Sequence, residues 1–291
     1  MMNTNLNPVQ ATVSSFSSMT NRLKASFPVR RLSFDFQHSE RYWFDGNVYY
    51  THFMNAMSAI FPQGELMLIE ALRNIRSSIN DPILQAEISA FIGQEAMHAK
   101  EHMAFNRYAE AQQIDLDSLQ KEVKVLYQWM QKLLPPMHIM AIGCAIEHIT
   151  ATLGAELLRR DDWNHRLHGA VGELWLWHAV EENEHKAVFF DAYVACNGTY
   201  LSRVFYMTMA GSALAFLIAN NMQRLLRADK ALSVKGIAKF IKDFTGKGGL
   251  LTWQTIQAFI DYYKPSFHPF NHDTKDLEKT WHQRLKLSTI N

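Results

Sequence analysis

Two stretches of this chain carry metal-binding residue types at a useful spacing: Gln94-Glu95-Ala96-Met97-His98 and Glu182-Asn183-Glu184-His185. Residues three apart in a helix are neighbours on one face, so a carboxylate and an imidazole at i and i+3 can reach one ion. A single Glu-x-x-His pair is more often a solvated surface pair than a ligand set. Position gives these two their weight. Glu65 lies fifteen residues before Asn80 and Glu95 fifteen after it, so a turn at Asn80-Asp81 brings both carboxylates to one level of an antiparallel hairpin. Around Trp163, Glu147 lies sixteen residues before and Glu182 nineteen after. Each hairpin thus offers a lone Glu and a Glu-x-x-His. Packed together, two such hairpins supply four carboxylates and two imidazoles, a set by which helical bundles hold two metal ions.

The surroundings favour burial over a set of exposed helix charges. Glu65 stands beside Leu66 and Leu68, Glu95 follows Phe91 and Ile92, Glu147 follows Ile142-Gly143-Cys144-Ala145-Ile146, and Glu182 follows Leu174-Trp175-Leu176-Trp177. A carboxylate tolerates such burial when it is paired or metal-bound. His178, Glu182 and His185 share one helix face at i, i+4 and i+7, which makes His178 either a seventh ligand or a core histidine. His102 and His148 are weaker candidates. Glu181 and Glu184 point to other sides of the same helix and read as solvated or as partners of ligands. Asp191 is a candidate to orient a ligand imidazole, since ligating histidines commonly donate their other N–H.

These residues need helices to position them. Apolar residues recur at three- and four-residue steps over 51–78, with Pro62 and Gly64 predicting a kink or a fresh start. Asp81 is the expected N-cap and Pro82 the first residue of a second helix reaching Ala111. An amphipathic helix over 119–134 ends at Pro135-Pro136; long helices follow over 137–160 and 165–195. Period-two alternation is absent over any length, so the expected fold is all-α. The expected division is a flexible N-terminal tail (1–28), a four-helix bundle holding two metals (29–198), C-terminal helices packing on the bundle (199–265) and a polar tail (266–291).

Composition narrows the function. The 291 residues carry a formal net charge of +1, so no global field recruits nucleic acid. Cys144 and Cys196 lack Cys-x-x-Cys spacing, which excludes a disulfide framework or a zinc ribbon and makes the cytoplasm the default compartment. Residues 204–219 form an apolar run between Arg203 and Arg224. It is short for a membrane span and is expected to be a core helix, with a membrane-facing or substrate-facing helix as the alternative.

The ligand spacing resembles the ferritin-like di-iron carboxylate superfamily, which includes ribonucleotide reductase small subunits, fatty-acid desaturases and bacterial multicomponent monooxygenases. With His178, the last ligand helix looks like that of the p-aminobenzoate N-oxygenase type. Phe61-Pro62-Gln63-Gly64-Glu65, Gln94-Glu95-Ala96-Met97-His98 with Phe105-Asn106, and Glu181-Glu182-Asn183-Glu184-His185-Lys186 resemble a bacterial family described as predicted metal-dependent hydrolases, over about residues 30–265. Pro62 and Gly64 directly before Glu65 depart from an uninterrupted ligand helix.

These resemblances imply a ferritin-like bundle with extra helices. Its expected metals are two ions, iron or else manganese, held by Glu65, Glu95, His98, Glu147, His178, Glu182 and His185, with Glu95 and Glu147 bridging. A carboxylate-rich set with a few histidines suits those metals better than a hydrolytic zinc site. The leading expectation is an oxidoreductase that uses O2 on a small hydrophobic substrate. A two-metal hydrolase is the alternative, and a non-catalytic metal store or sensor the third reading. O2 and a small molecule are the expected partners; an electron-donor protein, peripheral membrane contact and a homodimer stay open.

Overall fold

A computed structural model describes residues 25–287. Helices account for nearly all the regular structure: α1 (Val48–Ser58), α2 (Phe61–Ile75), α3 (Pro82–Ala111), α4 (Asp117–Leu133), α5 (Pro136–Arg159), the single turn α6 (Asp161–Asn164), α7 (Gly169–His185), α8 (Val188–Ala195), α9 (Tyr200–Ala228), α10 (Val234–Thr245), α11 (Trp253–Asp261) and α12 (Lys275–Arg284). Among the described residues no strand forms; one isolated bridge joins Phe44 and Leu167.

Local chemistry sets the helix boundaries. Asp81 caps α3, its carboxylate accepting from the backbone N–H of Ile83 and Leu84, with Pro82 in the first helical position. Pro136 opens α5 in the same way. The chain breaks at Ala59-Ile60, between α1 and α2, because Pro62 has no N–H to give the Ser58 carbonyl. That carbonyl accepts instead from Asn106 Nδ2 of α3 at 2.9 Å. The interruption expected at Pro62 is therefore a helix restart, and Glu65 lies inside the new helix, in its second turn.

Four helices close a ring: α2 packs on α3, α3 on α7, α7 on α5, and α5 on α2. Two apolar clusters flank the middle of this ring. Trp177 of one packs edge-on to His98, ring centres 4.8 Å apart. Phe91 of the other meets His185 at 4.7 Å. Gly143 lets α5 close on the second cluster, since a Cβ there would lie 2.2 Å from the Phe189 ring and 3.0 Å from Leu68. Gly143→Val is expected to destabilise the protein by about 1–3 kcal/mol through overpacking, measurable as a lower midpoint in thermal unfolding.

Some expected boundaries need correction. The helix expected over 165–195 is two, α7 and α8, separated by a turn at Lys186-Ala187, where the Lys186 ammonium is held by the His272 carbonyl and the Thr274 hydroxyl, each at 2.6 Å. Of the expected N-terminal tail, residues 1–24 lie outside the described residues, while Phe27 is buried against His185. The polar tail expected over 266–291 is folded as far as it is described. Trp281 of α12 is buried and donates to the Leu158 carbonyl at 3.0 Å; one buried indole anchors an otherwise polar helix. Lastly, the apolar run 204–219 is not a core helix. In α9 its inner side packs on α5 and α1, while half of its residues stay exposed.

Candidate metal centre

Glu65 comes from α2, Glu95 and His98 from α3, Glu147 from α5, and His178, Glu182 and His185 from α7. All seven side chains are buried, none more than 5% exposed. Glu182 Oε1 lies 3.0 Å from His178 Nε2, 3.5 Å from His185 Nε2 and 3.8 Å from His98 Nδ1. Glu95 Oε1 lies 3.2 Å from His185 Nε2 and 3.5 Å from His98 Nδ1. At the edges, Glu147 Oε2 is 3.5 Å from His185 Nε2, and Glu65 Oε1 is 3.8 Å from His178 Nε2. The two central carboxylates are thus Glu95 and Glu182. Glu147, expected to bridge, touches one end only, because sequence spacing sets its level in the bundle but not its direction around it.

Among the described residues, the buried polar atoms that make no hydrogen bond include both oxygens of Glu65, Glu95 Oε1, His98 Nδ1, Glu147 Oε2, Glu182 Oε2 and His185 Nε2. Burying so many polar atoms without a protein partner is costly. Cations remove the cost: Glu95, Glu147 and His185 offer one set of ligand atoms within 4.8 Å of one another, and His98, His178 and Glu182 another. Four carboxylates and three neutral imidazoles would just balance two divalent ions.

The protonation energetics point the same way. Burial first, then the neighbouring carboxylates, push the Glu65 and Glu147 carboxyls well above their ordinary value. For Glu182, burial is outweighed by the His178 and His185 rings that face it, which hold its carboxyl well below. Burial opposes protonation of His98 too, but Glu181 and Glu95 outweigh it and keep that ring well above the usual imidazole range. Protons and metal ions therefore compete for one position among these groups.

An outer layer fixes which nitrogen of each ring faces the cavity. His98 Nε2 donates to Glu181 at 3.1 Å, and Arg30 holds the other oxygen of that carboxylate at 2.8 Å. For His185, the anchor is Gln94: its Nε2 donates to the Pro28 carbonyl and to Glu184, both at 2.9 Å and both able only to accept. Gln94 Oε1 must then accept from His185 Nδ1, at 2.8 Å, which in the neutral ring leaves Nε2 as a lone pair in the cavity. His178 is set by a longer path. Asn106 Nδ2 gives its proton to the Ser58 carbonyl, so Asn106 Oδ1 accepts from the Ser58 hydroxyl at 2.6 Å. The hydroxyl oxygen accepts from His102 Nδ1 at 2.9 Å, and His102 Nε2 accepts from His178 Nδ1 at 2.8 Å. His178 Nε2 faces Glu182 at 3.0 Å and Glu65 at 3.8 Å, where it would lose its proton to a cation bound between them. Each ring carries a second-layer partner of the kind that orients metal-bound histidines.

Sequence reading therefore misplaced some residues and missed others. Of the two readings open for Glu181 and Glu184, the second holds: they are buried and hold His98 and Gln94. Asp191 orients no candidate ligand and pairs with His268 at 2.9 Å instead. His148 lies away from the centre, bonded to the Ala258 carbonyl at 3.0 Å. His102 belongs to the outer layer. Arg30, Ser58 and Asn106 gave no periodic signal. Tyr127, which lines the cavity beside Glu65, falls on the amphipathic pattern of α4 and reads as core.

Glu184 ties this layer to both chain ends. Burial alone would raise its carboxyl, but hydrogen bonds from Arg30, His282 and Gln94 hold it down to about 2, against an ordinary 4.5. The folded state thus binds that proton less readily than the unfolded chain, so the stabilisation is complete above pH 4.5 and is lost as pH falls toward 2. The gap corresponds to roughly 3 kcal/mol. Glu184→Gln should lower the thermal midpoint at neutral pH, and its difference from wild type should shrink as the pH is taken down through this window.

Three neighbouring cavities with mostly apolar linings lie between the centre and the surface. The space beside Glu65, Glu95, Glu147, His178 and Glu182 is small, about 30 Å³. It shares Phe61, Thr150 and Leu214 with a second apolar cavity of about 70 Å³. That cavity shares Phe53, Met57, Ile149, Leu153, Leu214 and Ile218 with an outer one of about 520 Å³ between α9, α10 and α11. Leu214 borders all three.

Fold and site together define a helical protein with a buried carboxylate and imidazole cluster suited to metal ions. The chain belongs to the family described as predicted metal-dependent hydrolase, whose model matches residues 28–273. That description implies a metal-dependent enzyme. No curated protein and no solved structure matches the chain.

Proposed function

We propose that this enzyme holds two metal ions, iron or manganese, and uses O2 to oxidise an apolar substrate. The observation that carries the reading is the carboxylate-rich set of unpartnered buried ligand atoms at the inner end of a row of apolar cavities. In this reading Glu65, Glu95, His98, Glu147, His178, Glu182 and His185 would hold the two ions, with Glu95 and Glu182 the carboxylates close to histidines at both ends. Such metals would supply the electrons for reducing O2. The chain does the rest: Glu181, Gln94 and His102 hold the three rings, and Phe61, Phe91 and Trp177 keep bulk water away. The space of about 30 Å³ beside the ligands suits O2 or the end of a substrate chain better than a bulky polar group.

The family description favours a second reading, hydrolysis by a metal-polarised water. One pair of assays separates them. Protein loaded anaerobically with Fe(II) and then exposed to O2 should consume O2 and develop visible absorption. If it does neither, yet cleaves a long-chain nitrophenyl ester anaerobically in a metal-dependent way, the hydrolytic reading replaces the oxidative one.

A further inference from the structure

Positions 204–223 of α9 contain no charged residue. The helix is long and apolar enough to cross a membrane, yet only 11% of its most apolar window is buried in the protein. Leu201, Phe205, Met209 and Phe216 are all more than half exposed, at steps of four and seven that keep them on one side. Large apolar side chains gathered on one exposed face mark an interaction surface rather than the ordinary scatter of a soluble protein. The neighbouring helices α10 and α11 add exposed Val234, Ile241, Trp253 and Ile260.

Charge identifies what covers this face. Residues 230–247 contain five lysines, Lys230, Lys235, Lys239, Lys242 and Lys247, all exposed, against the single acid Asp243, in a chain whose net charge is only +1. Asp243 is itself engaged by Lys239 and Tyr50. Exposed aliphatic and aromatic residues beside lysines are the composition of a segment that lies in the interface of an anionic bilayer. A second copy of the chain, docked face to face, would bring the two lysine sets together. Spanning is opposed by the packing: Met207, Met222, Leu225 and Leu226 are buried on the inner side of α9, and Arg203 is buried with its guanidinium on the Tyr262 and Lys264 carbonyls. The helix lies along the protein with one side bare.

The outer apolar cavity opens on that bare side. Thr208, Ser212, Ala215 and Ala219 line it and are themselves exposed. We infer that the face formed by α9, α10 and α11 rests on an anionic lipid bilayer, and that the cavity mouth takes an acyl chain from it toward the metal centre. The second clause rests on the function proposed above; the first does not.

The test uses the full chain and lipid vesicles, and reads binding rather than turnover. The protein should cosediment with phosphatidylcholine vesicles containing phosphatidylglycerol, bind pure phosphatidylcholine more weakly, and lose part of its binding in high salt. The double substitutions Phe205→Ser with Phe216→Ser, and Lys235→Glu with Lys242→Glu, alter exposed positions. Each should weaken vesicle binding by about tenfold or more with the thermal midpoint unchanged. Wild-type protein that stays in the supernatant with both vesicle types overturns the proposal. So do variants that bind like wild type, or a concentration-dependent dimer, abolished by the phenylalanine substitutions, in place of vesicle binding. Because metal content and O2 uptake are separate measurements, failure here leaves the reading of the centre standing.

Discussion

Glu95→Ala and Glu182→Ala should each leave a folded protein that has lost most of its bound metal, while Glu173→Ala, an exposed change on the same helix as Glu182, keeps it. These two carboxylates are the ones that lie close to histidines at both ends of the centre. Removing either leaves two divalent ions facing three buried negative charges, and breaking a buried ion pair costs about 3–5 kcal/mol. Affinity should fall roughly a hundred- to thousandfold. Thermal unfolding adds a signature that general damage lacks. Metal should raise the midpoint of wild type and not of the variants. Elemental analysis finding two ions per chain in both variants removes the ligand assignment.

Leu214→Trp should block the row of apolar cavities without touching the metals. Leu214 borders the space beside the ligands, the middle cavity and the outer cavity, and makes none of the hydrogen bonds that orient the histidines. A tryptophan there has nowhere to go but into these cavities, the middle one of which holds about 70 Å³. Binding of a pyrene-labelled fatty acid should weaken about tenfold or more, equivalent to about 1.4 kcal/mol, with metal content as in wild type. Retained binding of the probe would mean that long-chain molecules reach the protein elsewhere.

How much of this was legible in the sequence differs from residue to residue. The two Glu-x-x-His pairs and the two lone glutamates were readable because helical period and antiparallel hairpins convert spacing into height, and all six converge as expected. Height says nothing of direction, and so spacing did not reveal that Glu182, rather than Glu147, lies close to histidines at both ends. The layer that orients the rings was not legible. Arg30 reaches Glu181 across 151 residues and Asn106 reaches Ser58 across 48, with no period to reveal either contact. Residues 204–219 failed for another reason: an apolar run reads alike whether it is covered by protein or left bare. In α12 a single buried tryptophan holds a helix whose remaining residues look like a solvated tail.

The restart at Pro62 reaches further than the course of the backbone. A missing amide hydrogen gives the order of protons through Ser58, Asn106 and His102 a single polarity. The orientation of the His178 ring is consequently tied, through His102, to the covalent structure of a distant proline. Its Nε2 already faces Glu65 and Glu182, so capture of an ion there would need no turn of the ring, and the centre is preorganised on this side.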